Sequence, residues 1–87
     1  MTNPTDWEMF CDKAAAMLRQ ALDREIELKQ ASDFFEQDKL VKNQDLRRYF
    51  ESMVWEIDSS RDYYVELVRL FEARASEETF VNYLDAK

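Results

Sequence analysis

Apolar residues recur along this chain at alternating steps of three and four. Trp7, Phe10, Ala14, Met17, Ala21, Arg24, Leu28, Ala31 and Phe35 form one such ladder, apolar at every rung but Arg24. Leu46, Phe50, Met53, Ile57, Ser60, Tyr64, Leu67 and Phe71 form a second, broken only by Ser60. Sustained 3–4 spacing keeps one stripe of a helix apolar and marks helices packed along a seam, as in a coiled coil. The pattern predicts an all-α protein: a long antiparallel helical hairpin with helices over about 5–41 and 45–75.

The ends of these helices carry recognisable signals. Thr5-Asp6-Trp7-Glu8 matches a capping box, with Thr5 as N-cap and Glu8 at the third helical position. A turn is expected at about 42–45. Asn43 tolerates a left-handed backbone and can close a helix, and Asn43 or Asp45 can cap the next one. Ser76 ahead of Glu77 and Glu78 opens a short C-terminal helix over about 77–85, carrying Phe80, Val81, Tyr83 and Leu84. That helix can fold back on the hairpin, extend its predecessor or dock on a partner. A second reading splits the first helix near residue 31, with Asp33 and Glu36 as a capping box. Asp58-Ser59-Ser60 is a place for a kink within the second helix.

Folding the chain at 42–45 sets facing residues at nearly constant index sum. Phe35 then faces Phe50, Ala31 faces Met53 and Leu28 faces Ile57. Further along, Ala21 faces Tyr64, Met17 faces Leu67 and Ala14 faces Phe71. Small residues oppose large ones at three of these layers, which favours interdigitation. Arg24 faces Ser60, so the two interruptions meet as one polar layer. Such layers set register at some cost in stability.

The seam leaves apolar residues over. Cys11, Ala15, Leu18, Leu22 and Ile26 lie off it on the first helix. Tyr49, Val54, Trp55, Tyr63, Val65, Val68 and Leu70 lie off it on the second. A wider apolar face implies more than one neighbour. Two hairpins about a twofold axis would complete a four-helix bundle, so a homodimer is expected. Tyr49, Tyr63 and Leu70 share one heptad line, and with Leu18, Leu22 and Trp55 they are the expected partner-binding residues.

Composition narrows the function. The 87 residues include no glycine, and Pro4 is the single proline. Sheet folds need the turns those residues make, so the helical reading stands. Histidine is absent and Cys11 is the only cysteine. No intrachain disulfide is possible, the usual zinc sets cannot form, and Cys11 has no activating base. Neither an enzyme nor a cofactor is expected. The first residues lack a basic region followed by an apolar run, and no run reaches a membrane span of about 20 residues. With a free thiol, these features point to a cytoplasmic protein.

The net charge is −7 and both halves are acidic. Nucleic-acid binding draws on clustered basic residues, so none is expected here. Asp58, Asp62 and Glu66 fall four apart on one helical face, beside Arg61 and Arg69. They read first as a solvated strip and second as a dock for a basic partner. The leading expectation is therefore a small protein–protein interaction module: an adaptor, a chaperone or an inhibitor of a larger protein. The alternative is an acidic inhibitor that occupies a nucleic-acid site on its target. A helical-bundle enzyme or metal carrier ranks third, because a bundle metal site usually draws on histidine.

Overall fold

The computed structural model describes residues 5–85, with side chains as far as Tyr83; Met1–Pro4, read above for a leader, and the Leu84 side chain fall outside the described residues. The described residues form five α-helices and no strand. They are α1 (Asp6–Leu22), α2 (Leu28–Gln37), α3 (Gln44–Met53), α4 (Arg61–Glu72) and α5 (Glu77–Asp85), with a 3₁₀ turn over Val54–Glu56 after α3. The all-helical class is as the pattern predicts. The two long helices are not. Each is interrupted, and the interruptions fall at Arg24 and Ser60, the two polar rungs of the ladders.

The first interruption is a Schellman cap. Arg24 adopts φ 60°, a left-handed conformation. Its N–H donates to the Ala21 carbonyl (3.2 Å), and the Glu25 N–H donates to the Gln20 carbonyl (2.8 Å). This pairing closes the orphan carbonyls of α1 without the usual glycine. Chain direction then resets at Glu27, whose N–H donates to Gln30 Oε1 at the start of α2. The break therefore precedes the expected one near residue 31, and Asp33 and Glu36 lie inside α2. At the second interruption the 3₁₀ turn unwinds through Ile57–Ser59. Short polar side chains compete there for backbone groups, and Ser59 Oγ donates to the Glu56 carbonyl (2.9 Å). Ser60, with φ −139° and ψ 47°, starts α4.

Other signals hold. Thr5 Oγ1 accepts from the Glu8 N–H (3.1 Å), and Glu8 accepts in return from the Thr5 N–H. Asn43 Oδ1 accepts from the Leu46 N–H (3.1 Å), so Asn43 caps α3 and does not close the preceding helix. That earlier helix ends at Gln37, and the connection runs extended from Asp38. Ser76 Oγ accepts from the Thr79 N–H (3.2 Å) at the start of α5.

The broken helices pair in the expected antiparallel sense. α2 packs on α3, with the rings of Phe35 and Phe50 at 5.8 Å. α1 packs on α4. At one end of that pair Trp7 Nε1 donates to the Ala75 carbonyl (2.7 Å). At the other, Arg61 donates to the Leu22 carbonyl (2.8 Å). What the ladders did not reveal is that the second pair folds back on the first. The Phe10 ring lies within 6.1 Å of Phe34, Phe35, Phe50 and Phe71. A continuous helix would hold Phe10 and Phe35 about 38 Å apart. The longest dimension of the molecule is 37 Å, whereas a helix over 5–41 alone would run about 55 Å. α5 closes the stack, with buried Phe80 at 4.6 Å from Phe71.

Four paired helices thus share one core within a single chain. Cys11, Ala15, Leu18, Leu22, Val54 and Val68, set aside above as surplus, are all buried in it. Much of the surplus that motivated a dimer is covered by the chain itself, with Trp55 and Val65 left exposed.

Candidate docking surfaces

The expected partner-binding residues divide in the structure. Leu18 and Leu22 are buried core. Leu70 is half-buried against that core. Tyr49 and Tyr63 share a hydrogen bond between their hydroxyls (2.7 Å), joining α3 to α4. Burial, then the Tyr49 contact, pushes the Tyr63 hydroxyl far above its ordinary range. Tyr63 also stacks on Tyr83 of α5 at 5.7 Å. These tyrosines knit helices together, as aromatic rings with a polar tip do in interiors. Arg24 and Ser60 do not form an internal polar layer. The Arg24 and Asp58 side chains are 79% and 64% exposed, and their 3.7 Å ion pair is a weak surface contact.

Trp55 is different. It is 55% exposed, in a chain that otherwise buries its large aromatic rings well. Its neighbours are packed into the core. Val54 on one side and Ile57 on the other are fully buried. The buried Tyr64 hydroxyl donates to the Met53 carbonyl just before the turn. Burial, then the charge of Glu56, raises that hydroxyl to about 12, so it stays a donor. A shallow hollow of about 170 Å³ on the same end of α3 is lined by Tyr49, Ser52, Met53 and Glu56.

The carboxylates of the proposed acidic strip are all exposed but not alike. Asp58 lies before α4 and faces Arg24. Asp62 stands in the first turn of α4. Glu66 lies near Tyr83, whose hydroxyl is pushed up by burial and then by the Glu66 charge. Among the described residues, no three Cys, Asp or Glu side chains converge as metal ligands. Cys11 is buried with its Sγ 4.0 Å from the Ala75 carbonyl oxygen. Burial, followed by the charge of Asp12, pushes the thiol up to about 12. A thiol held protonated this way is a poor nucleophile. No described helix is long and apolar enough to cross a membrane.

One surface includes Leu22 alone among the expected partner-binding residues. A cleft of about 220 Å³ runs between α1 and α4, with Leu22, Val65 and Val68 as floor and Arg19, Arg61 and Arg69 around it. Asp23 and Glu72 complete the wall. Val65 is 37% exposed, with Trp55 one of the two large aliphatic or aromatic residues left open among the described residues. Arg61 and Arg69 looked in the sequence like solvating neighbours of the acidic strip. Their role in a cleft depends on α1 lying alongside α4, which residue spacing on α4 alone does not reveal.

No protein-family model matches the sequence, and no curated protein or solved structure matches it either.

Proposed function

We propose that this chain is a protein-binding module, with Trp55 as its anchor. The observation that carries the reading is an exposed tryptophan on a corner whose neighbours Val54 and Ile57 are fully buried. Leaving so large an apolar side chain in water is costly, by about 25 cal/mol per Å² of apolar surface. Tryptophan is also enriched among the few residues that dominate binding energy. A corner already fixed by buried Val54 and Ile57 loses little further entropy on binding. Glu56 and Asp58 flank the ring in sequence, and Asp62 follows in the first turn of α4. The partner suited to this corner has an apolar pocket within a basic surface. The acidic surroundings also support the narrower reading of an inhibitor that occupies a basic, nucleic-acid-binding site.

A photo-crosslinking residue placed at position 55 tests the proposal. It is expected to give a discrete adduct in cells, while the same residue at exposed Lys29 gives none. Trp55→Ala is expected to keep the melting temperature and to lose the partner recovered through that adduct. Equal adducts from both positions would contradict the reading, as would a partner retained by Trp55→Ala.

A further inference from the structure

The α1–α4 cleft carries a small excess of positive charge on an acidic molecule, three arginines against Asp23 and Glu72. Three of the chain's seven arginines line it, although the net charge is −7. Two of the three are engaged in part. Arg19 pairs with Glu72 at 2.7 Å, and one nitrogen of Arg61 serves the Leu22 carbonyl. The Arg69 guanidinium makes no hydrogen bond or ion pair among the described residues, and the outer donors of Arg61 remain. Arg61, Val65 and Arg69 stand four apart along α4, so two guanidinium groups bracket an exposed aliphatic side chain over about 12 Å. Guanidinium groups suit carboxylates, which they can grip through two parallel hydrogen bonds.

The shape of the surface, set between two antiparallel helices, points to a polypeptide rather than a small molecule. The cleft is below the roughly 300 Å³ at which small-ligand sites begin. The Arg19–Glu72 bridge forms one border of it. A second hollow, of about 420 Å³, shares those two residues and is otherwise lined by Asp12, Ala15 and Ala16. Small alanines allow close backbone approach, and a groove between two antiparallel helices is a natural seat for a third.

We propose that the α1–α4 cleft binds a partner helix bearing an acidic, an aliphatic and an acidic residue at successive four-residue steps. The two carboxylates meet Arg61 and Arg69, and the aliphatic side chain covers Val65 and the floor at Leu22 and Val68. This site is separate from the Trp55 corner, and it selects the opposite charge.

Fluorescence anisotropy with labelled helical peptides of ~16 residues, long enough to hold a helix, tests it. One peptide carries Glu-x-x-x-Leu-x-x-x-Glu, a second Lys in place of both Glu, and a third Ser in place of Leu. The Glu–Leu–Glu peptide is expected to bind saturably despite the like net charge of the protein, and more weakly as salt rises. The Lys and Ser peptides, and Arg69→Glu protein with the first peptide, should bind roughly tenfold more weakly or worse. Arg69 is exposed, so its replacement leaves the core intact, and Arg69→Lys should lose less than Arg69→Glu. Trp55→Ala protein should bind the first peptide unchanged, which separates this site from the proposed anchor. Any of four results would overturn the proposal: no saturable binding of the first peptide, equal binding of the Lys peptide, insensitivity to Arg69→Glu, or loss with Trp55→Ala. Self-association of the free protein that Arg69→Glu abolishes would place a second copy in the cleft and overturn it as well.

Discussion

Two arginines carry left-handed backbone strain among the described residues. Arg24 (φ 60°) and Arg74 (φ 53°) each occupy the left-handed position after a helix. At Arg74 the N–H donates to the Phe71 carbonyl (2.9 Å) and the Ala75 N–H to the Leu70 carbonyl (3.0 Å), so α4 ends as α1 does. A residue with a Cβ pays sterically for this conformation and glycine does not. The Arg24 side chain offers only a long, exposed ion pair in return. Arg24→Gly is therefore expected to raise stability by about 0.5–1 kcal/mol, read as a rise in the denaturation midpoint. A fall in the midpoint would mean that Arg24 is held by more than the Asp58 contact. Arg74 differs, because it grips α1: Nη2 lies 2.7 Å from Asp12 and Nη1 lies 3.4 Å from Glu8. The Arg74 hydrogen bond holds the Asp12 carboxyl below its ordinary 3.8. Glu8 is held below 4.5, first by the Thr5 backbone N–H, then by the Thr5 side chain and Arg74. Folded carboxyls with depressed pKa bind protons less readily than unfolded ones, so their contribution is whole above the unfolded values. It is lost as pH falls from about 4.5 through the folded values. Thermal melts between pH 6 and pH 3 should show this acid loss, and Arg74→Met should flatten part of it. Identical pH dependence in both proteins would show that the clamp is idle. None of this strain is marked in the sequence, since a left-handed arginine looks like any other arginine.

At the scale of the helices, the ladders were legible in their members and not in their continuity. Phe35 does meet Phe50, and α1 does run antiparallel to α4. Those facts follow from which side chains are apolar and at what spacing. A 3–4 ladder records the phase of a stripe, however, and the backbone can break at a polar rung and resume with the stripe intact. Arg24 and Ser60 are such rungs. Their coincidence suits an internal polar layer and a double break equally well, and periodicity alone does not separate the two. The signs favouring a break were local: Asp23-Arg24-Glu25 at the negative end of α1, where acidic residues are disfavoured, and Asp58-Ser59-Ser60 as turn formers. The Trp55 corner was legible as a residue, since tryptophan off a seam invites a partner, but its exposure depends on the 3₁₀ turn. α5 tests the account of the core at this scale. Phe80 is fully buried against Phe71, Phe50 and Trp7, so Phe80→Ala should cost about 3–5 kcal/mol. That is a large part of the ~5–15 kcal/mol that stabilises a typical domain. A chemical denaturation curve close to that of the parent chain would mean that α5 lies on the core without completing it.

For the molecule as a whole, the account turns on folding back. An unbroken hairpin would leave Leu18, Leu22, Val54 and Val68 for a second copy to cover. The folded-back chain buries them itself and leaves Trp55 and the arginine cleft as the proposed docking surfaces. One distance decides between these arrangements. Lys13 on α1 and Lys39 after α2 line a common hollow. A continuous first helix would hold them about 39 Å apart. Both positions are exposed and can carry spin labels in a Cys11→Ala background. Double electron–electron resonance should then give a single short distance, less than about half of the ~39 Å of a continuous helix. A distribution centred near the long value would contradict the fold, and with it the assignment of both surfaces.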